Sequence, residues 1–248
     1  MEKFNERNIV YIYDGTFEGF LTCVYKVIYQ KFYTAQITSD KEIQVSFDTQ
    51  VHFIKRGIIE SNKILSVIKN SQDLLSVQYA HSSCNEKKGV IILNYIKLIL
   101  EYGKNAKFLL NNKDVIAFME ICKKTQLECH RLKGFLRFAE TVNQIYYAKI
   151  EPDNDIVQFL MPHFVNRYRY QKFVIHDIKR NIAGVYDTKK SLVFFNNAKL
   201  FINLTELEEN IQKLFKTYYN TINIPIRRNK KQMLNFMPKR YHKHLVEL

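Results

Sequence analysis

The sequence predicts an α+β fold, on three observations. A short apolar strand runs into Asp-Gly-Thr and then into a helical repeat. From about Glu60 to Leu132, apolar residues recur at helical spacing. Beyond Gly134 the period drops to two, in segments bounded by turn residues. The expected architecture is an N-terminal strand and helix, a helical middle, and an antiparallel sheet (hairpin plus meander) with helices in the C-terminal half. The 248 residues suit a single α+β domain, 1–248. A soft subdivision would separate a mainly helical 1–133 from an α+β 134–248 with a basic tail.

Taken in order, Ile9–Tyr13 is the strand, and Asp14 and Thr16 are placed to cap the next helix. That helix, about Phe17–Phe32, carries Phe17, Phe20, Leu21, Val24 and Ile28 on one stripe. Lys41–Gly57 reads as irregular or short-strand structure. In the helical middle, Val115, Phe118, Met119, Cys122 and Leu132 mark an inner side, and Gly134 stands where a C′ glycine would end the helix. "FLRFAE" and "QIYYAKIE" then form a hairpin across "TVNQ". "PDNDIVQFLMPHFVNRYRY" is helical, broken or restarted at Pro162. "KFVIHDI", "NIAGVYD" and "SLVFFN" form the meander. Thr205 and Glu208 fit a capping box on the helix that follows. Pro238 is placed to start a last short helix.

The formal charge is +14, with 16 Tyr, 18 Phe and no Trp. That excess favours an anionic partner, nucleic acid first, and exposed tyrosines can stack on bases. Cys23, Cys84, Cys122 and Cys129 contain no C-x-x-C pair, which argues for reduced thiols in the cytoplasm and against a zinc or iron–sulfur site. No apolar run reaches the ~18 residues of a membrane span, and "MEKFNERNIV" lacks the apolar core of a signal peptide. No Walker A, G-x-G-x-x-G or G-x-S-x-G motif is present.

Four constellations could carry function. In "ECHRLKGFLRFAE", His130, Arg131, Lys133 and Arg137 lie between Glu128 and Glu140. With Phe135 and Arg137 on one strand face, a planar cation would sit beside a ring and could grip a phosphate or a base. An internal Arg–Glu network is the competing reading. His163 and Arg167 are helix neighbours at i,i+4, with Tyr170 on the same side. His176 shares a strand face with Val174 and Ile178, whereas Asp177 points away and Arg180 lies in the turn. The tail sets Arg227, Arg228, Lys239 and Arg240 among aromatic residues. Asp14, Gly15 and Thr16 open a helix N-terminus that could hold an anion. The catalytic candidates are His163, His176 and Glu140, acting as acid and base on a nucleobase. No metal and no cofactor is expected.

Five stretches carry a resemblance: "YIYDGTFEGFLTCVY", "HRLKGFLRFAE", "YYAKIEPDNDIVQFLMPHFVNRY", "FVIHDIKRNIAGVYD" and "MPKRYHKHLVEL". In this order, from about Ile9 to Glu247, they resemble a bacterial family called probable DNA metabolism protein, a domain of unknown function. The resemblance implies a gene beside a radical-SAM protein of DNA repair or modification, or fusion to a uracil-DNA glycosylase-like domain. The chain itself lacks the C-x-x-x-C-x-x-C of a radical-SAM cluster. The expected function is a DNA-binding accessory or substrate-presenting protein, partner of a radical-SAM enzyme and without independent activity. The alternatives are an enzyme acting on a DNA base through a His/Glu site, or a protein-interaction module without DNA contact.

Overall fold

A computed structural model describes residues 9–29, 36–40, 43–45, 47, 49–189, 192–196, 203–227 and 229–246. The fold is α+β, and the chain divides into two units, Met1–Gln126 and Leu127–Leu248.

In the first unit, β1 (Ile9–Ile12) leads through a turn to α1 (Phe17–Tyr29) and on to β2 (Gln36–Thr38). β3 (Gln50–Phe53) follows, and all three strands are parallel in the order β2-β1-β3. A helical crossover forces this parallel pairing of β1 with β2. The expected apolar stripe buries Phe20, Leu21 and Val24 of α1. Thr22, fully buried, accepts from the Gly57 N–H at 3.1 Å and donates to the Glu18 carbonyl at 2.8 Å. It thereby ties α1 to the start of α2 (Ile58–Ser71). Next come α3 (Leu74–His81), α4 (Lys88–Tyr102) and α5 (Lys113–Phe135). Tyr95 stacks on Phe118 at 3.7 Å and donates to Asp73 at 3.1 Å. A Cβ on Gly89 would stand 2.3 Å from the Ile37 carbonyl, so only glycine lets α4 approach β2 this closely. Met119 lies outside the core at 39 % exposure, whereas Val115, Phe118 and Cys122 are buried as the helical spacing requires.

The boundary between the units falls inside α5. That helix continues through Gly134, which keeps a negative φ. Gly134 is therefore not a C′ residue. The Arg137 guanidinium donates to the Gly134 carbonyl at 2.9 Å. A side chain thus satisfies one of the terminal carbonyls, a task that backbone N–H groups perform where a helix ends on a left-handed glycine. Phe135 closes the helix and does not share a strand face with Arg137.

The second unit holds a five-stranded sheet: β4 (Ala139–Glu140), β5 (Tyr146–Ile150), β6 (Phe173–Asp177), β7 (Ile182–Tyr186) and β8 (Leu192–Asn196). The hairpin β4–β5 and the meander β6–β7–β8 are antiparallel as expected. They join through a parallel β5–β6 pair, so the sheet is mixed. The cause is α6 (Val157–Arg167), which returns the chain to the starting end of the sheet. α6 runs unbroken through Pro162. Pro162 lies on the exposed side of α6, where a proline disturbs the core least.

Alternation sorts the sheet into two faces. One packs Ala148, Ile150, Phe173, Ile175 and Tyr186 against Leu160, Met161 and Phe164 of α6. Each buried Ile, Leu, Met or Phe side chain among them contributes roughly 1.5–3 kcal/mol. The opposite face is a smaller cluster of Tyr147, Val174 and Ala183. α7 (Glu206–Ile222) starts at Thr205, whose hydroxyl accepts from the Glu208 N–H at 3.1 Å. The reciprocal half of a capping box is absent, because the Glu208 carboxylate accepts instead from the Glu140 N–H at 3.2 Å. α8 (Lys230–Phe236) follows. A last 3₁₀ turn, Lys239–His244, begins after Pro238 as expected.

Candidate nucleic-acid interface

The basic residues separate into two sets by whether an acid is in reach. The first set surrounds Glu128, which is 2 % exposed. Its carboxylate accepts from the N–H groups of Asp153 and Asn154, both at 2.9 Å, from the Asn154 amide at 2.6 Å and from the Tyr241 hydroxyl at 2.8 Å. Arg240 stands 3.5 Å away and also pairs with Asp153. Asp177, fully buried, accepts from the N–H groups of Lys179 and Arg180 at 3.0 and 3.2 Å and from the Arg180 guanidinium at 2.8 Å. Arg180 also donates to the carbonyls of Pro152 and Asp153. Lys243 pairs with Glu151, and His244 stands 3.3 Å from it. "EPDND" is thus the meeting point of the meander turn and the C-terminal turn. A buried carboxylate is tolerated only when it is paired and hydrogen-bonded, and both Glu128 and Asp177 are. Arg180 and Arg240 hold the fold together.

The second set lies where α5 and α6 end. Lys133, Arg137 and Arg167 line a cleft of about 460 Å³ with Phe138, Tyr146 and Tyr168. Its shape follows from the local sequence. α5 delivers Lys133 in its last turn, the segment after it carries Arg137 and Phe138, and α6 delivers Arg167 in its own last turn. The Arg167 guanidinium lies 5.8 Å from the Tyr168 ring centroid, and Phe138 packs edge-on to Tyr168 at 5.2 Å. Lys133 and Arg167 form no ion pair among the described residues. Two helix C-termini supply roughly half a negative charge each, which does not offset two full cations. His163 feels the result: burial first, then Lys133 and Arg167, hold its pKa below the ordinary imidazole value. Lys133, His163 and Arg167 therefore share one electrostatic environment, and Arg137 lines the same cleft.

Arg137 and Phe138 also line a second cleft, of about 410 Å³, with Tyr147, Lys149, Lys243 and His244. Tyr147 and Lys149 were not among the residues singled out from sequence. The only hint of them was the aromatic-basic alternation of "YYAKIE".

The remaining candidates are dispersed. His130 is exposed on α5, and Arg131 donates to the Asn235 carbonyl at 3.4 Å. Arg227 and Lys239 are exposed, and Arg228 lies outside the described residues. His176 is 6 % exposed, on the sheet face opposite α6, and its Nδ1 lies 2.7 Å from the Tyr147 hydroxyl. Burial first, then Lys149 against the opposing pull of Asp177, lowers the His176 pKa, and burial pushes the Tyr147 phenol up to about 12. His163, by contrast, belongs to α6, and Glu140 lies on the short edge strand β4. The structure does not bring these three together. Among the described residues no group of three His, Cys, Asp or Glu gathers as a metal site would require.

In the first unit, the Thr16 hydroxyl accepts from the Gly19 N–H at 3.0 Å and caps α1. Asp14 accepts from the Thr16 N–H at 3.0 Å, and Arg56 lies 3.8 Å from its carboxylate. Gly15, with φ +83°, makes the turn. This helix start already carries its own negative charge. One group that the sequence did not mark is His81, ringed by Tyr13, Phe17 and Phe20. Burial, with Lys88 adding to it, drives its pKa down to about 3.

A family model described as Domain of unknown function (DUF4130) matches residues 86–247. No curated protein and no solved structure matches the chain. The matched stretch takes in α4, α5 and nearly all of the second unit, so both the Glu128 network and the cationic cleft fall inside it. The chain belongs to the DUF4130 family.

Proposed function

We propose that the second unit binds nucleic acid, and that the chain acts as a DNA-binding accessory or substrate-presenting protein for a radical-SAM enzyme of DNA repair or modification. The observation that carries the binding role is the cleft that Lys133 and Arg167 line together with aromatic side chains, neither cation having an acidic partner among the described residues. Cations that no carboxylate offsets attract phosphodiesters. The choice of DNA and of a radical-SAM partner draws on the sequence resemblance. Binding to a DNA oligonucleotide, followed over a range of salt concentrations, tests the proposal. Log affinity falls with log salt by roughly 0.7–0.9 for each phosphate contacted. Undetectable binding at low salt would remove the role.

A protein-interaction role has its own support. Leu207, Ile211, Leu214, Phe215, Tyr218 and Ile222 form an exposed apolar stripe on α7, a helix with no buried residue. A stripe of this kind suits docking of the enzyme partner. Association that survives high salt without nucleic acid, and is lost in Leu214→Glu, would establish it.

A further inference from the structure

We infer that the cleft between α5 and α6 receives the face of an unpaired nucleobase, which makes single-stranded rather than duplex nucleic acid its ligand. The inference rests on the nucleic-acid reading and specifies the strand state. Two features of the cleft carry it.

The first is the kind of surface offered. The walls present Phe138, Tyr146 and Tyr168, and the Arg167 guanidinium is placed over the Tyr168 ring. Rings and a planar cation recognise the face of a base by stacking, and this recognition tolerates any base. A duplex hides base faces within its stack and shows only edges in its grooves. Edge readers are forked or hydrogen-bonding side chains carried into a groove on a projecting helix or ribbon. Here the cations and rings line a concavity at two helix ends.

The second is scale and charge. About 460 Å³ is the size of a small-ligand pocket rather than of a groove that tracks a rod. Lys133 and Arg167 line the same cleft as the rings, so one nucleotide can place its base on the rings and its phosphate on the cations. An inorganic phosphate would make no use of the aromatic walls.

Fluorescence anisotropy with the full chain tests this at fixed low salt. Three probes are compared: a single-stranded thymidine oligonucleotide, an abasic deoxyribose-phosphate oligomer of equal phosphate count, and the same thymidine strand annealed to its complement, which doubles the phosphates. The expected result is that the single strand binds roughly 5- to 150-fold more tightly than the abasic oligomer, and more tightly than the duplex. Arg167→Glu abolishes that preference while the circular dichroism spectrum stays unchanged. Equal affinity for single strand and abasic oligomer, or a duplex that binds as tightly as the single strand, overturns the inference and leaves nucleic-acid binding standing. Absence of binding to all three overturns both.

Discussion

Around Glu128 and Asp177, the guanidinium groups of Arg180 and Arg240 are held by carboxylates and backbone carbonyls. At the ends of α5 and α6, Lys133 and Arg167 meet rings and no carboxylate among the described residues. Both regions are basic in sequence, both lie within the family match, and both combine cations with tyrosine. They differ in one respect: whether folding brings an acid within a few ångströms. Charge count predicts a partner only for the cations that folding leaves without one.

Mutation separates the two regions, most strongly at Glu128. Glu128→Ala strands the Tyr241 hydroxyl, the Asn154 amide and two backbone N–H groups in a buried site. Breaking such a network costs about 3–5 kcal/mol, a large share of the roughly 5–15 kcal/mol that holds a domain. Thermal unfolding should show a large drop in midpoint, and the C-terminal turn should become open to protease. A Glu128→Ala protein with unchanged melting would contradict the network's structural role. Arg180→Ala is expected to cost about 2–4 kcal/mol, because Asp177 is then buried without its charged partner.

Acid should move the two regions in opposite directions. The Lys243 hydrogen bond, with His244 adding to it, holds the Glu151 carboxyl below its ordinary value. A carboxyl depressed in the folded state contributes stability above its unfolded pKa and loses it as pH falls through the folded value. The C-terminal turn should therefore loosen below about pH 4.5. Beside the cleft, burial and then Lys133 and Arg167 lower the His163 pKa in the free protein. A bound phosphate offsets those cations and favours the proton. Binding then takes up a proton, and affinity should rise as pH falls from 7.5 toward 6. Titration of affinity against pH checks this, and the same gain in His163→Gln would refute it.

The smallest effect on stability belongs to Arg167→Ala, expected within about 0.5 kcal/mol of the parent. Its effect should be on binding, with the salt slope lowered by roughly 0.7–0.9. A denaturant midpoint that falls as far as in Arg180→Ala would place Arg167 in the structural set and remove the contrast.

Local sequence determined the α+β class, the helical middle, the β4–β5 hairpin, the meander and the Thr205 cap. Each of these is written in spacings of a few residues: period 3.6, period two, turn residues and a hydroxyl three positions before its N–H. The divergence of His176 and Asp177 was legible for the same reason, since strand neighbours face opposite ways. Only the tertiary structure decided the rest. Gly134 stays helical, and Arg137 reaches back to its carbonyl. The sheet becomes mixed because α6 carries the chain back across it. Arg180 and Arg240 become structural because Glu128, Asp153 and Asp177, drawn from three separate stretches, converge on them. Lys133 and Arg167 share a cleft because two helices happen to end side by side. The physical reason is range. Hydrogen-bonding period and rotamer preference act within a turn or a strand, whereas the energy of a charge depends on every group within a few ångströms, however distant along the chain.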